Sequence, residues 1–188
     1  MASMENGFLG LVKMRQSVRR YSDRPVEKDK LELCLEAARL APSASNSQPW
    51  KYVVVDEPAL KEKVARQTYD PIVTFNKFTH EAPVLVVIVL EKPPLRTQAG
   101  SRLKKKEWRL IDIGITASHF CLQAAGLGLG TCMLGWFNEK PIRKLLGIPD
   151  TKTIGLIISL GYPPGDYPLR EKTRKKPEEV ICRNTYRS

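Results

Sequence analysis

APSASNSQPW, residues 41–50, lies where the period of the chain changes, and that change decides the fold class. Upstream, from Asp29 to Ala41, the apolar residues Leu31, Cys34, Leu35 and Ala38 recur at helical spacing, and Pro42 ends the segment. Downstream, Lys51 to Val55 is a short β-branched strand. The stretch between them is rich in small hydroxyl and amide side chains. Such a segment offers several hydrogen bonds while keeping a slim profile beside a flat ligand. The same composition also suits a plain polar loop.

Working outward, Val84 to Leu90 is a continuous apolar strand of the fully buried kind. Trp108 to Gly126 reads as a long helix with Ile111, Ile115, Leu122 and Ala125 along one side. Gly114, Ala117 and Ser118 are small enough to let another helix approach it closely. Ile154 to Leu160 is a third strand, closed by Gly161 and a turn-rich YPPGDYP. Helices and strands alternate around one continuous core, which predicts a single α+β domain over residues 1–188. The last segment, Pro177 to Ser188, is too short to fold alone and is expected to pack on something else, such as a partner subunit.

Composition narrows the function classes. The chain has 188 residues, 42% of them apolar and 27% charged, which fits one globular domain with a substantial core. Its longest apolar stretch, Ala82 to Leu90, is too short to span a bilayer. The N-terminus lacks a basic segment followed by an apolar run, so no secretory signal is expected. Cys34, Cys121, Cys132 and Cys182 are scattered without a CxxC pair, which speaks against zinc or a redox dithiol and for reduced thiols in a cytoplasmic protein. His80 and His119 have no ligand spacing, so no metal is expected. Much of the +11 formal charge sits in two clusters, Arg102 to Lys106 and Arg170 to Lys176. Neither is interleaved with aromatics as a single-strand binding platform would be, which leaves a nucleic-acid-binding domain as a weak rival and no nucleic acid as the expectation.

A second constellation is MRQSVRRYSDRPV near the N-terminus. Arg15, Ser17 and Arg19 fall at alternate positions and point the same way in an extended stretch. Two guanidiniums and a hydroxyl converging on one point suit a phosphate. The GLGLGT run (Gly126, Gly128, Gly130) follows a helix and lacks the spacing of a dinucleotide fingerprint; its role is to end the long helix. Asp112 reads as a buried cap or interface partner, Cys132, Trp50 and Trp108 as packing residues, and Trp136 as a packing residue with pocket lining as the alternative.

R-x-S-x-R followed by PSxSNxQPW, a Gly-rich GLGLGTCMLGWF and a GYP with a basic TRKKPEEV resembles the nitroreductase family of flavoproteins, over roughly Met14 to Ile181. The resemblance implies an α+β nitroreductase-like fold, a mixed central β-sheet flanked by helices, and a long central helix at a homodimer interface. It assigns FMN binding to Arg15, Gln16, Ser17 and Arg19, with Arg19 toward the N1 and O2 edge. Pro42, Ser43, Ala44, Ser45 and Asn46 would approach the flavin of the other subunit, with Gln48 in support. Met133, Leu134 and Gly135 match the turn whose backbone lies near N5 and O4, and Asn76 matches a pyrimidine-edge asparagine. Arg174 and Lys175 resemble the basic pair on the phosphate, Lys172 and Lys176 being the alternatives to Lys175 where the alignment slips. Many larger members carry Glu where Leu134 stands, so the pocket here is more apolar.

The implied activity is an NAD(P)H oxidoreductase, using NADH or NADPH and reducing small conjugated acceptors such as nitroaromatics or quinones by ping-pong kinetics. No side-chain acid or base is needed for that step. The rivals are a flavin-binding or redox-sensing module without turnover and a dehalogenase or desaturase on the same scaffold. The Arg102 to Lys106 cluster would form a lid favouring an acidic acceptor or NADPH.

Overall fold

The computed structural model describes residues 7–186, except for the side chains of residues 99, 101 and 102. The Arg102 side chain of the basic cluster and the last two residues of the C-terminal segment therefore lie outside the described part. The elements run α1 (Phe8–Met14), α2 (Lys28–Arg39), β1 (Trp50–Val55), α3 (Pro58–Ala65), β2 (Val84–Leu90), α4 (Leu95–Lys104), α5 (Trp108–Gly126), β3 (Gly130–Leu134), α6 (Glu139–Leu146), β4 (Thr153–Gly161) and α7 (Pro177–Val180).

The strands form one sheet in the order β1-β2-β4-β3, every neighbouring pair antiparallel. Of the expected mixed sheet, the parallel part is a single bridge between Ser17 and Thr131. All seven residues of β2 are buried, because helices cover both faces of the sheet. Val84, Val86 and Ile88 meet α2 and α5 on one face. Leu85, Val87 and Val89 meet residues of α3 and α6 on the other. An antiparallel strand covered on both sides loses the usual alternation, which is why VLVVIVL reads as one apolar run.

Helix α5 buries Ile113, Ala117, Phe120, Cys121 and Ala124 against the sheet. Phe120 is fully enclosed, worth about 1.5–3 kcal/mol by burial alone. The stripe predicted from Ile111, Ile115 and Leu122 is the opposite, outward one, and Ile111 is 57% exposed. Ala117 therefore belongs to the chain's own core. The glycine run does end the helix: Gly128 takes φ +75°, its N–H donates to the Ala125 carbonyl, and the Leu129 N–H donates to that of Ala124. This paired closure satisfies carbonyls that a helix end leaves open, and its left-handed residue is one that glycine adopts without strain.

Candidate functional site

The N-terminal segment after α1 runs beside the start of β3. The Val18 N–H donates to the Thr131 carbonyl at 2.8 Å, and Val18 is 3% exposed. Gly130 makes this approach possible, since a Cβ there would stand 2.7 Å from Val18 Cγ2. With Val18 turned inward, Ser17 and Arg19 are turned the other way, as alternation requires.

The chain returns to this segment about 150 residues later. Arg170 Nε donates to Gln16 Oε1 at 3.3 Å, and its other nitrogen donates to the Ser17 carbonyl. Lys172 Nζ donates to the Arg15 carbonyl at 2.7 Å. Gln16 returns a bond to the Pro168 carbonyl at 3.0 Å. The result is a cleft of about 280 Å³ lined by Arg15, Gln16, Ser17, Arg19 and residues 170–174. Five cations (Arg15, Arg19, Arg170, Lys172, Arg174) face it with one carboxylate, Glu171. Burial, then the nearby Arg15, Arg174 and Arg170, lowers the Lys172 pKa. Cations gathered this closely form a site that a polyanion such as a phosphate relieves. Arg170 and Lys172 are the residues docked on the N-terminal segment and Arg174 shares the cleft; Lys175 is exposed and does not line it. Arg170 escaped the sequence reading, although it opens the basic cluster.

The loop after α2 is built differently. Ser45, Asn46 and Gln48 all take positive φ, at 53°, 52° and 44°. Left-handed backbone at non-glycine residues costs on the order of 1 kcal/mol each and persists only where surroundings impose it. Here Ser43 Oγ accepts the Gln48 N–H at 2.9 Å, and Gln48 Nε2 donates to Asn46 O and Oδ1 at 3.2 Å. Beneath them Asp112 Oδ1 accepts the Ala44 N–H at 3.1 Å, which makes Asp112 the buried cap expected of it. Burial raises its carboxyl pKa, against the Ala44 N–H. Pro42, Ser45, Asn46 and Gln48 are exposed; Ser43 and Ala44 are partly covered. None of the loop residues lines the basic cleft.

Met133 and Leu134 close β3, so Leu134 is a strand residue with a buried side chain, followed by exposed Gly135. Asn76 is 5% exposed and donates from Nδ2 to the carbonyls of Thr68 and Trp136, both at 3.1 Å. It thereby holds the turn after β3 in place. Trp136 is 53% exposed, so the packing role expected of it fails; Trp50 is buried in the core and Trp108 partly covered. Cys132 is buried, and burial raises its thiol pKa. His119 bonds the Ile115 carbonyl through Nδ1.

The outward side of α5 joins α1 in an apolar groove of about 550 Å³, lined by Phe8, Leu11, Ile111, Gly114, Ile115 and Leu122 among others. Phe8 is 70% exposed. The C-terminal segment is likewise uncovered, with Val180, Ile181 and Tyr186 at least 60% exposed. Among the described residues no helix is long and apolar enough to cross a membrane.

The chain is 33% identical over 159 residues to a protein of Archaeoglobus fulgidus provisionally named NADH dehydrogenase/NAD(P)H nitroreductase, across 82% of this chain and 84% of that one. It is 25% identical over 194 residues to an iodotyrosine deiodinase of Drosophila melanogaster, across 91% and 67%. A solved FMN-dependent nitroreductase of Clostridium difficile R20291 superposes with a TM-score of 0.73 at 29% identity, across 95% and 99%. The nitroreductase family model matches residues 12–162, and the chain belongs to that family of oxidoreductases.

Proposed function

We propose that this protein is an FMN-dependent NAD(P)H oxidoreductase that reduces small conjugated acceptors, working as a homodimer with each flavin site shared between subunits. The cleft of five cations carries the reading. A flavin phosphate near two negative charges matches Arg15, Arg174 and Lys172, with Ser17 as a short hydroxyl donor. Bound FMN would supply the two-electron chemistry, leaving the protein to grip and orient it. Arg19 lies beside the phosphate cations and would favour negative charge on the reduced ring. Gly135 and the backbone of Leu134 would face the ring edge near N5, held there through Asn76.

Two observations support the shared site. The strained, self-bonded loop at residues 42–48 and the basic cleft occupy separate places on one chain, though the family resemblance puts both on flavin. The apolar groove along α5 and α1 would also need a partner to cover it. A second copy meets both requirements.

The iodotyrosine deiodinase relative supports a dehalogenase as the second reading. Against it, residues 92–106 contain no acid and no aromatic side chain with which to close over such a substrate. Steady-state NADH and NADPH oxidation with menadione, nitrofurazone and iodotyrosine separates the readings. Turnover of the first two with parallel double-reciprocal lines is expected. Dehalogenation alone would favour the second reading, and colourless protein with no affinity for FMN would refute both.

A further inference from the structure

Another cavity, partly open to solvent, lies apart from the basic cleft and the apolar groove, between the loop after α2, the segment entering α4 and the first turns of α5. Its volume is about 250 Å³, and its lining includes Ser47, Lys92, Thr97, Gln98, Trp108 and Asp112. Two polar atoms here are buried without a partner, Asp112 Oδ2 and Ser47 Oγ. Asp112 is 3% exposed, and its other oxygen is engaged by the Ala44 N–H. An unpaired buried acceptor costs about 1–3 kcal/mol, and more when it is charged. Nothing in the lining relieves it: Gln98 Nε2 donates to the Pro93 carbonyl at 2.7 Å, and Arg109 pairs with Glu107.

The missing partner is defined by this chemistry. A carboxylate oxygen accepts only, so the occupant must donate. The lining sets two cations, Lys92 and Arg109, against two carboxylates, Glu107 and Asp112, but at the buried unpaired oxygen itself a phosphate or carboxylate would meet a like charge. The Trp108 indole gives one wall a flat apolar surface, and the volume falls just below the range of about 300–1,000 Å³ typical of pockets for drug-sized ligands. A single six-membered ring with one polar group suits that space.

We propose that this cavity is a binding site for a compact N–H donor, a primary amide or ammonium group carried on one ring, held by Asp112 Oδ2 and Ser47 Oγ. The site is built within one chain and does not rest on the flavin reading.

The test is calorimetric titration of the purified full-length protein with benzamide, benzylamine and benzoate, which share a ring and differ in the head group. Saturable binding of benzamide or benzylamine, at least about tenfold tighter than benzoate, is expected. The tighter of the two identifies amide or ammonium as the natural head group. Asp112→Asn keeps an oxygen for the Ala44 N–H and puts an amide donor into the cavity. It should weaken the N–H donors by about tenfold or more and bring benzoate to equal or tighter binding. Ser47→Ala, which removes one hydroxyl, should weaken the preferred probe by about threefold or more and serves as the readout if the Asp112 variant fails to fold. No saturable binding of either N–H donor to the wild type would overturn the proposal, as would unchanged affinities in a folded Asp112→Asn protein or, failing that, in Ser47→Ala.

Discussion

Lys172 places its Nζ 2.7 Å from the carbonyl of Arg15, a residue 157 positions earlier in the chain. This contact brings the C-terminal basic cluster onto the N-terminal segment and gathers five cations around one cleft. It also separates the lysines that the sequence left interchangeable, since Lys172 lies at the cleft and Lys175 lies outside it.

Removing one cation from that cleft should weaken FMN. Hydrogen bonds to charged groups contribute about 1.5–3 kcal/mol, so Lys172→Ala and Arg174→Ala are each expected to raise the FMN dissociation constant by roughly 10- to 100-fold. Lys175→Ala should change it by less than about threefold, the scale of an exposed charge. Titration of the apoprotein, followed by quenching of flavin fluorescence, reads all three. Equal losses in Lys172→Ala and Lys175→Ala would contradict the placement.

Gly130 sets the position of the N-terminal segment because Val18 occupies the space a side chain would take. Gly130→Ala should push Val18 and its neighbours outward. Overpacking of this kind costs about 1–3 kcal/mol. A lower melting temperature and weaker FMN binding are expected together, because Ser17 and Arg19 flank Val18. Normal FMN affinity in a destabilised variant would uncouple the segment from the cleft.

Much of this fold could be read from the chain, and the exceptions have physical causes. β2 and α5 have the bounds expected of them, because about five turns of helical pattern, or seven consecutive apolar residues, leave little ambiguity. α2 stops at Arg39 with Leu40 as its cap, short of Pro42, where the sequence pattern ends it. The short helices α1, α3, α4 and α6 gave no clear period over 7 to 10 residues. β3 looked like a turn because glycines flank it, and only pairing with β4 shows it as a strand. Within the site, the alternation of Arg15, Ser17 and Arg19 is legible from their spacing alone, and the buried Val18 between Ser17 and Arg19 bears out its direction. The docking of Arg170 and Lys172 was not, since a run of basic residues carries no register until the fold supplies one. Asn76, which the resemblance matches to a pyrimidine-edge asparagine, gives both its donor bonds to backbone carbonyls, a use that no spacing rule reveals.

Glu27 gives a pH-dependent test of how the segment after β4 is fastened. Its carboxylate accepts from Tyr162 Oη at 2.7 Å and from Arg24 at 2.6 Å. The Tyr162 bond, then a backbone bond and the Arg24 bond, lowers its pKa from 4.5 to about 2. A carboxyl with a depressed folded-state pKa adds stability above its unfolded value and loses it as pH falls toward the folded one. Glu27→Gln should therefore lower the melting temperature at neutral pH, with the gap to wild type closing between pH 4.5 and about 2. A gap that stays constant over that window would show that the charge plays no part.

The shared flavin site is tested most directly by mixing subunits. One variant, Arg15→Ala with Arg174→Ala, damages the basic cleft; the other, Ser43→Ala with Asn46→Ala, damages the loop. Each is expected to bind FMN poorly as a homodimer. Co-expressed with two different tags and purified as a mixed dimer, they should recover about half the wild-type flavin content, because pairing one intact cleft with one intact loop rebuilds a single site while the other carries both defects. Mixed dimers as empty as the parent homodimers, or a protein that never dimerises, would contradict the account.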